Sequence, residues 1–230
     1  MKNIWGSSTP SQCFESYCYG TSADEAVQKF NNERLIADIS LRSYQLKFGI
    51  QAFDIKFGEP CRFLAALAEL TQPKLVVDIG TSCGGSSRAF LDYSPSWASV
   101  VTYDILSWKD LPSTYLKESD FNSGRLVQHL VDLSDDAVFK THSKILADAD
   151  IIYLDAPKDG SFEYSFMDKL SKLDMEHKQR WLVMDDIRFM NMAALWFDIA
   201  SPKFDATSLG HWSGTGLVDI SDGLLLKKQG

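Results

Sequence analysis

The sequence predicts an α/β protein: a doubly wound, mostly parallel seven-stranded sheet with a terminal antiparallel strand, preceded by an N-terminal helical extension. Three observations carry that prediction. From Lys74 onward, short β-rich runs alternate with longer segments of helical periodicity, as in βαβ units. The runs are apolar on both alternating sets of residues, as strands covered on both faces must be. Aspartates stand at the ends of three successive runs, at the edge where open α/β sheets bind ligands.

The strands are expected at "KLVVDI" (74–79), "ASVVTYDI" (98–105), "RLVQHLV" (125–131), "ADIIYLD" (149–155) and "RWLVMDD" (180–186). Between them, "GGSSRAFLDYS", "DDAVFKTHSKILA" and "GSFEYSFMDKLSKL" carry apolar residues three and four apart and read as covering helices. "FMNMAALWFDIA" reads as a further helix that stops before Pro202. The tail offers "KFDATSLG" and either "GTGLVDI" or "DGLLLKK" for a terminal antiparallel pair around "HWSGTG". Upstream, "SADEAVQKFNNERLIADISLRSYQLKFGIQAF" is polar with helical spacing, and "CRFLAALAELT" is a stronger amphipathic helix leading into the first strand. The chain thus divides into an extension over residues 1–56, a lid or a dimer contact, and a main domain over 57–230.

At 230 residues, with 45% hydrophobic and 23% charged, the chain is sized for one α/β domain plus that extension, and a core is available. A formal net charge of -8 repels a phosphate backbone, so nucleic acid is not an expected partner and a small molecule is. The longest apolar runs fall far short of the roughly 20 residues of a membrane span. The start also lacks a signal-peptide apolar core, so a cytoplasmic protein with no membrane partner is expected. Cys13, Cys18, Cys61 and Cys83 are too few for a disulfide framework and read as reduced thiols.

The loop "VDIGTSCGGSS" (77–87) follows the first strand and opens a helix. Gly80, Gly84 and Gly85 permit a tight turn and close approach of a ligand to bare backbone. The loop matches neither GxGxxG nor GK[ST], so the nicotinamide and P-loop fingerprints are both absent. Asp78, two residues before Gly80, would repel a pyrophosphate and suits a cationic ligand. S-adenosylmethionine fits, because its ammonium and sulfonium both gain from a nearby carboxylate. Asp104, ending the second strand, is placed for a pair of ribose hydroxyls, and Asp132, after the third, for an adenine amine.

With these features residues 57–230 resemble the class I S-adenosylmethionine-dependent methyltransferases, which have a Rossmann-like fold, and within them the divalent-cation-dependent O-methyltransferases. The catechol and caffeoyl-CoA types carry acid-x-Gly-x-x-x-Gly-x-Ser in the first loop, matched here by Asp78, Gly80, Gly84 and Ser86. Thr81 and Ser82 fall within the same cofactor loop. Those enzymes carry Asp-x-x-Lys-Asp after the fourth strand, matched by Asp155, Lys158 and Asp159, and Asp-Asn after the fifth, where this chain has Asp185 and Asp186. The Asp-Asp version is more similar to the metal-dependent sugar O-methyltransferases of macrolide and aminocoumarin biosynthesis. Ahead of the fifth strand the chain departs from the family, with "MEHKQRW" in place of a Gly-Gly or Pro-Gly turn.

The resemblance implies that Asp155, Asp185 and Asp186 bind Mg²⁺ or a similar ion, and hard carboxylate oxygens agree with that chemistry. It implies that Lys158 acts with Asp155 as the base or electrostatic partner of the hydroxyl being methylated, with a pKa lowered by the cation and a closed pocket. Asp159 then orients Lys158 or caps the next helix. The implied acceptor is a small molecule with vicinal hydroxyls, catechol-like or sugar-like, since such oxygens chelate one cation. A metal-independent methyltransferase and a nucleoside-binding protein without transfer remain as alternatives. His211 and Trp212 in "GHWSGTG" read either as a structural turn or as lining of the substrate pocket, and His129, His142 and His177 as surface or core residues.

Overall fold

The computed structural model describes residues 23–48, 59–209 and 212–227. Seven strands form one sheet: β1 (Leu75–Ile79), β2 (Ser99–Asp104), β3 (Leu126–Leu130), β4 (Ile151–Leu154), β5 (Trp181–Asp185), β6 (Lys203–Asp205) and β7 (Thr215–Asp219). Their spatial order is β3-β2-β1-β4-β5-β7-β6. Strands β1 to β5 pair in parallel, and β7 runs antiparallel to both β5 and β6. The chain order reverses at β1, which lies between β2 and β4, and such a switch point leaves a crevice at the carboxyl ends of the strands.

The helices are α1 (Ala23–Phe48), α2 (Glu59–Thr71), α3 (Gly85–Tyr93), α4 (Glu118–Asn122), α5 (Asp136–Asp148), α6 (Ser161–Leu170) and α7 (Met192–Asp198). A 3-10 turn spans Trp108–Asp110. The five central strands stand where the apolar runs predict them, trimmed by one or two residues at the ends. "GTGLVDI" supplies the antiparallel β7, whereas "DGLLLKK" contributes a single bridge, Leu226 to Ile199. The helix expected over "FMNMAALWFDIA" begins only at Met192, because residues 186–192 close as turns, with Phe189 N donating to Asp186 O and Met192 N to Phe189 O.

Strand parity decides the two core layers. Val76, Val100, Leu126, Ile151, Tyr153, Trp181, Val183 and Leu217 pack with α1, α2 and α3 residues such as Ile39, Phe63, Leu67 and Phe90. Val77, Ile79, Val101, Tyr103, Ile152, Leu154, Leu182, Met184 and Val218 pack with Phe139 and Leu146 of α5, Phe166 and Met167 of α6 and Leu195 of α7. Asp78, Asp155 and Asp185 continue the parity of the first set, so all three acids belong to the α3 side of the sheet. That shared parity lets loops from three strands converge.

Helix α1 buries Ile39 and Leu46 in the first core layer. Arg42 makes a two-pronged pair with Glu69 on α2, at 2.7 and 3.0 Å, and Asn32 Nδ2 donates to Asp219 Oδ2 at 2.6 Å. The expected boundary at residue 56, Cys13, Cys18 and His211 lie outside the described residues. Cys61 and Cys83 are free thiols, and burial, helped by the Asp78 charge, pushes Cys61 up to about 12. Among the described residues no helix is long and apolar enough to cross a membrane.

Candidate active site

The first loop leaves β1 and crosses the end of β4. Gly80 N and Thr81 N both donate to Tyr103 O, at 2.9 and 3.2 Å, which turns the chain sharply over the neighbouring strands. Gly80 adopts φ +104, and a Cβ there would lie 2.0 Å from the backbone oxygen of Asp155. Only glycine allows that approach, so the cofactor-type loop and the Asp155 motif are pressed together by one residue. Gly84, at φ +79 just before α3, would drive a Cβ into Leu116.

Asp78 is fully buried beneath this loop. Ser86 Oγ donates to both its oxygens, at 3.0 and 2.9 Å, and Ser87 Oγ donates to Oδ2. Burial raises the Asp78 pKa to about 7; the serine hydroxyls oppose the shift and the Asp155 charge adds to it. The loop residues found with it are also engaged: the Thr81 hydroxyl pairs with that of Thr102 at 2.7 Å and accepts from Gln128 Nε2 at 3.1 Å. Ser82 N donates to Asp104 Oδ2 at 2.9 Å, and Leu106 N to Asp104 Oδ1 at 3.0 Å, so Asp104 orders the rim of the crevice. Asp132 is exposed and accepts from Ser134 N at 2.8 Å; hydrogen bonds from Ser134 hold its carboxyl below the usual range.

The second half of the site lies at the ends of β4 and β5, which are hydrogen-bonded neighbours with Leu154 opposite Met184. The strands therefore deliver Asp155 and Asp185 side by side. Asp186 follows with φ 58, a left-handed conformation that aspartate tolerates better than most residues. One carboxylate oxygen from each of Asp155, Asp185 and Asp186 lies within 4.8 Å of the others. Lys158 contacts Asp155 and stands 2.7 Å from Asp186 Oδ2. Three such carboxylates repel one another, and a hard divalent cation completed by water and substrate suits the set.

The Lys158 pKa is expected to fall where a cation is bound; among the protein groups alone the balance runs the other way. Burial does work to lower its pKa, but the Asp155 charge and the hydrogen bonds to Asp155 and Asp186 outweigh it, and the net shift is upward. The reason is local: two carboxylates flank one ammonium. Asp159 caps the next helix, with Oδ1 accepting from Ser161 N at 2.8 Å and Phe162 N at 3.0 Å. Of its two expected roles, capping is the one its contacts describe.

Sequence reasoning missed Glu163. This fully buried carboxylate accepts from Lys158 N at 2.6 Å and Gly160 N at 3.0 Å, and so clamps "DAPKDG" from below. Its place three residues after Gly160 is the N3 position of a capping box, a signal hidden because the cap position holds glycine. Asn191 was missed as well; its Nδ2 donates to Asp159 O at 2.9 Å and ties this loop to the one after β5. His129 and His142 are half-buried, with ring centroids 4.7 Å apart and Tyr103 Oη 3.1 Å from His142 Nδ1.

No protein-family model and no curated protein matches the chain. Among solved structures, a methyltransferase from Geobacter sulfurreducens is similar, with a TM-score of 0.50 and 17% identity over 79% of this chain and 88% of that one. The O-methyltransferase TomG from Streptomyces achromogenes, involved in tomaymycin synthesis and solved in complex with S-adenosylmethionine, gives 0.45 at 17% identity, over 83% and 90% of the two chains. A methyltransferase from Podospora anserina bound to S-adenosylhomocysteine gives 0.46 at 14% identity, over 90% and 98%. The strand order, the single antiparallel strand β7 and the Geobacter likeness agree: this chain has the Rossmann-like fold of the class I methyltransferases.

Proposed function

We propose that the protein is an S-adenosylmethionine-dependent O-methyltransferase that uses Mg²⁺ or a similar divalent cation and methylates a small molecule with vicinal hydroxyls. The observation that carries this reading is the convergence of Asp155, Asp185 and Asp186 within 4.8 Å, beside a glycine loop pressed onto Asp155. It is supported by the fold the chain shares with a methyltransferase from Geobacter sulfurreducens.

In this reading the first loop binds the cofactor. Ser82, Gly84 and the rim set by Asp104 receive the nucleoside, while the buried Asp78 carboxyl, held by Ser86 and Ser87, fixes the loop beneath the methionine end. When bound, S-adenosylmethionine would supply an electrophilic methyl group and leave as a neutral thioether, and the acceptor's hydroxyl proton would pass to solvent. The cation supplies acidification and orientation of the acceptor hydroxyl. Asp155, Asp185 and Asp186 would hold that ion, and Glu163 and Asn191 hold the loop carrying Lys158, whose ammonium would stand as the electrostatic partner of the acceptor oxygen. The protein's largest contribution is alignment of two bound reactants.

The test is methyl transfer by wild type and Asp155→Ala in Mg²⁺ and in chelator. The reading expects the variant to bind S-adenosylmethionine and to lose transfer; normal turnover by that variant in chelator would sink it. A second reading, transfer without a metal, is favoured by one contact: Lys158 already bridges Asp155 and Asp186. Turnover by wild type that is indifferent to chelator would select it.

A further inference from the structure

We infer that Thr215 is a further residue of the ion site, a positioning residue whose buried hydroxyl holds a water of the cation that Asp155, Asp185 and Asp186 would bind. The inference rests on the ion reading above and adds to it a residue from a third strand, β7.

The sheet puts Thr215 there. Leu154 of β4 pairs with Met184 of β5, so Asp155 and Asp185 follow side by side. Asp185 is in turn the register partner of Thr215, the first residue of β7. Residues directly opposite one another on neighbouring strands project from the same face of a sheet, with Cβ atoms about 5 Å apart. Asp155, Asp185 and Thr215 therefore make one lateral row across three adjacent strands, on the face that carries Val183 and Leu217. On the far side of Thr215 the row ends in an apolar residue: Ala206 N donates to Thr215 O at 2.7 Å, and the Ala206 side chain is fully buried. The polar neighbour of Thr215 along the row is the carboxylate cluster.

The hydroxyl itself points to a ligand. Thr215 is 1% exposed, and its Oγ1 has no hydrogen-bond partner among the described residues. The buried hydroxyls of Thr81, Thr102 and Ser87, at the same edge of the sheet, do have protein partners: the two threonines bond each other at 2.7 Å, and Ser87 donates to Asp78. A buried polar atom left unpaired costs the desolvation of that group, and a valine of the same shape would fill the position without that cost. An orphan of this kind calls for a water or an ion that completes it.

The chemistry suits a metal-bound water. Three carboxylates leave a divalent ion such as Mg²⁺ or Mn²⁺ with coordination positions for water and substrate. A water on such an ion is acidified and donates strongly, and a threonine hydroxyl accepts through its lone pairs. Partners of this kind orient the ligands of an ion and tighten its binding.

The experiment titrates Mn²⁺ into wild type, Thr215→Val, Thr215→Ser and Asp155→Ala, following free Mn²⁺ by electron paramagnetic resonance, and measures urea denaturation of the same proteins in chelator. The expected result is a Kd raised about tenfold in Thr215→Val and recovered in Thr215→Ser, with the midpoint of Thr215→Val in chelator at or above that of wild type. An unchanged Kd in Thr215→Val overturns the inference. So does a Thr215→Val protein less stable than wild type in chelator, which would give the hydroxyl a partner within the protein. Binding by Thr215→Ser as weak as by Thr215→Val also overturns it, because shape rather than the hydroxyl would then set the affinity. If wild type binds Mn²⁺, Asp155→Ala does not, and Thr215→Val matches wild type, the ion reading stands and this inference falls; if wild type binds no Mn²⁺, both fall.

Discussion

Lys158 Nζ lies 2.7 Å from Asp186 Oδ2, and because Lys158 follows β4 while Asp186 follows β5, this one ion pair joins the ends of two parallel strands. The same ammonium contacts Asp155, so it offsets two of the three carboxylates in the cluster. Lysine and a divalent cation therefore draw on the same charges.

That relationship predicts how Lys158→Met behaves. Without the ammonium, the carboxylates repel, and the cation-free variant should lose about 1–2 kcal/mol, less than a fully buried pair because these side chains keep some solvent. Mg²⁺ should then raise the variant's melting temperature by more than it raises that of wild type. A thermal titration with Mg²⁺ checks this, and no response in either protein would count against the metal site.

Gly80 supplies a backbone test. Gly80→Ala adds a Cβ 2.0 Å from Asp155 O at a positive φ, and should cost on the order of 2–4 kcal/mol in urea denaturation. Gly124→Ala shares a positive φ (+75) but meets nothing within 4 Å, so its cost should stay near 1 kcal/mol. Equal costs would mean that the close contact with β4 does not constrain the loop.

Asp78 predicts a pH dependence. Burial raises its folded-state pKa to about 7 from an ordinary value of 3.8, so the fold binds this proton more tightly than the unfolded chain does. Its stabilising contribution is complete below about pH 4 and is lost as the pH rises through about 7. Wild type should accordingly lose stability between about pH 4 and pH 7, and Asp78→Asn should flatten that slope. His129 acts oppositely at lower pH, because burial and then the His142 charge hold its pKa down. Its contribution is present above about 6.5 and is lost on acidification through its lowered folded value. Melting curves at several pH values separate the two.

Glu163 tests the clamp beneath "DAPKDG". Glu163→Ala leaves the N–H groups of Lys158 and Gly160 without their acceptor, at a cost of about 2 kcal/mol. Hydrogen exchange across residues 155–162 should accelerate, and an unchanged exchange rate would show that the loop holds its shape without the carboxylate.

The sheet was legible because buried parallel strands leave an unambiguous mark, apolar runs of both parities separated by helical spacing. The acids stood out in the sequence because they end β-rich runs and fall in motifs shared with the family the chain resembles; that Asp78, Asp155 and Asp185 share one face of the sheet emerged from the strand register. What was not legible depends on contacts between loops. The upward shift of Lys158 follows from the approach of Asp186, which becomes visible only once β4 and β5 are adjacent and Asp186 turns left-handed. Likewise nothing in "GHWSGTG" announces the ring contact of Trp212 with Phe189, which follows from the register of β7 on β5. Asp159 was given two roles because capping and orienting residues look alike in one dimension.

The central claim is a site for S-adenosylmethionine at the carboxyl edge of this sheet. Calorimetric titration of S-adenosylmethionine and S-adenosylhomocysteine into the wild-type protein, in Mg²⁺ and in chelator and with NAD as control, tests it most directly. The account predicts that at least one of the two binds and that NAD is silent. Absence of binding by both, in either buffer, would contradict it.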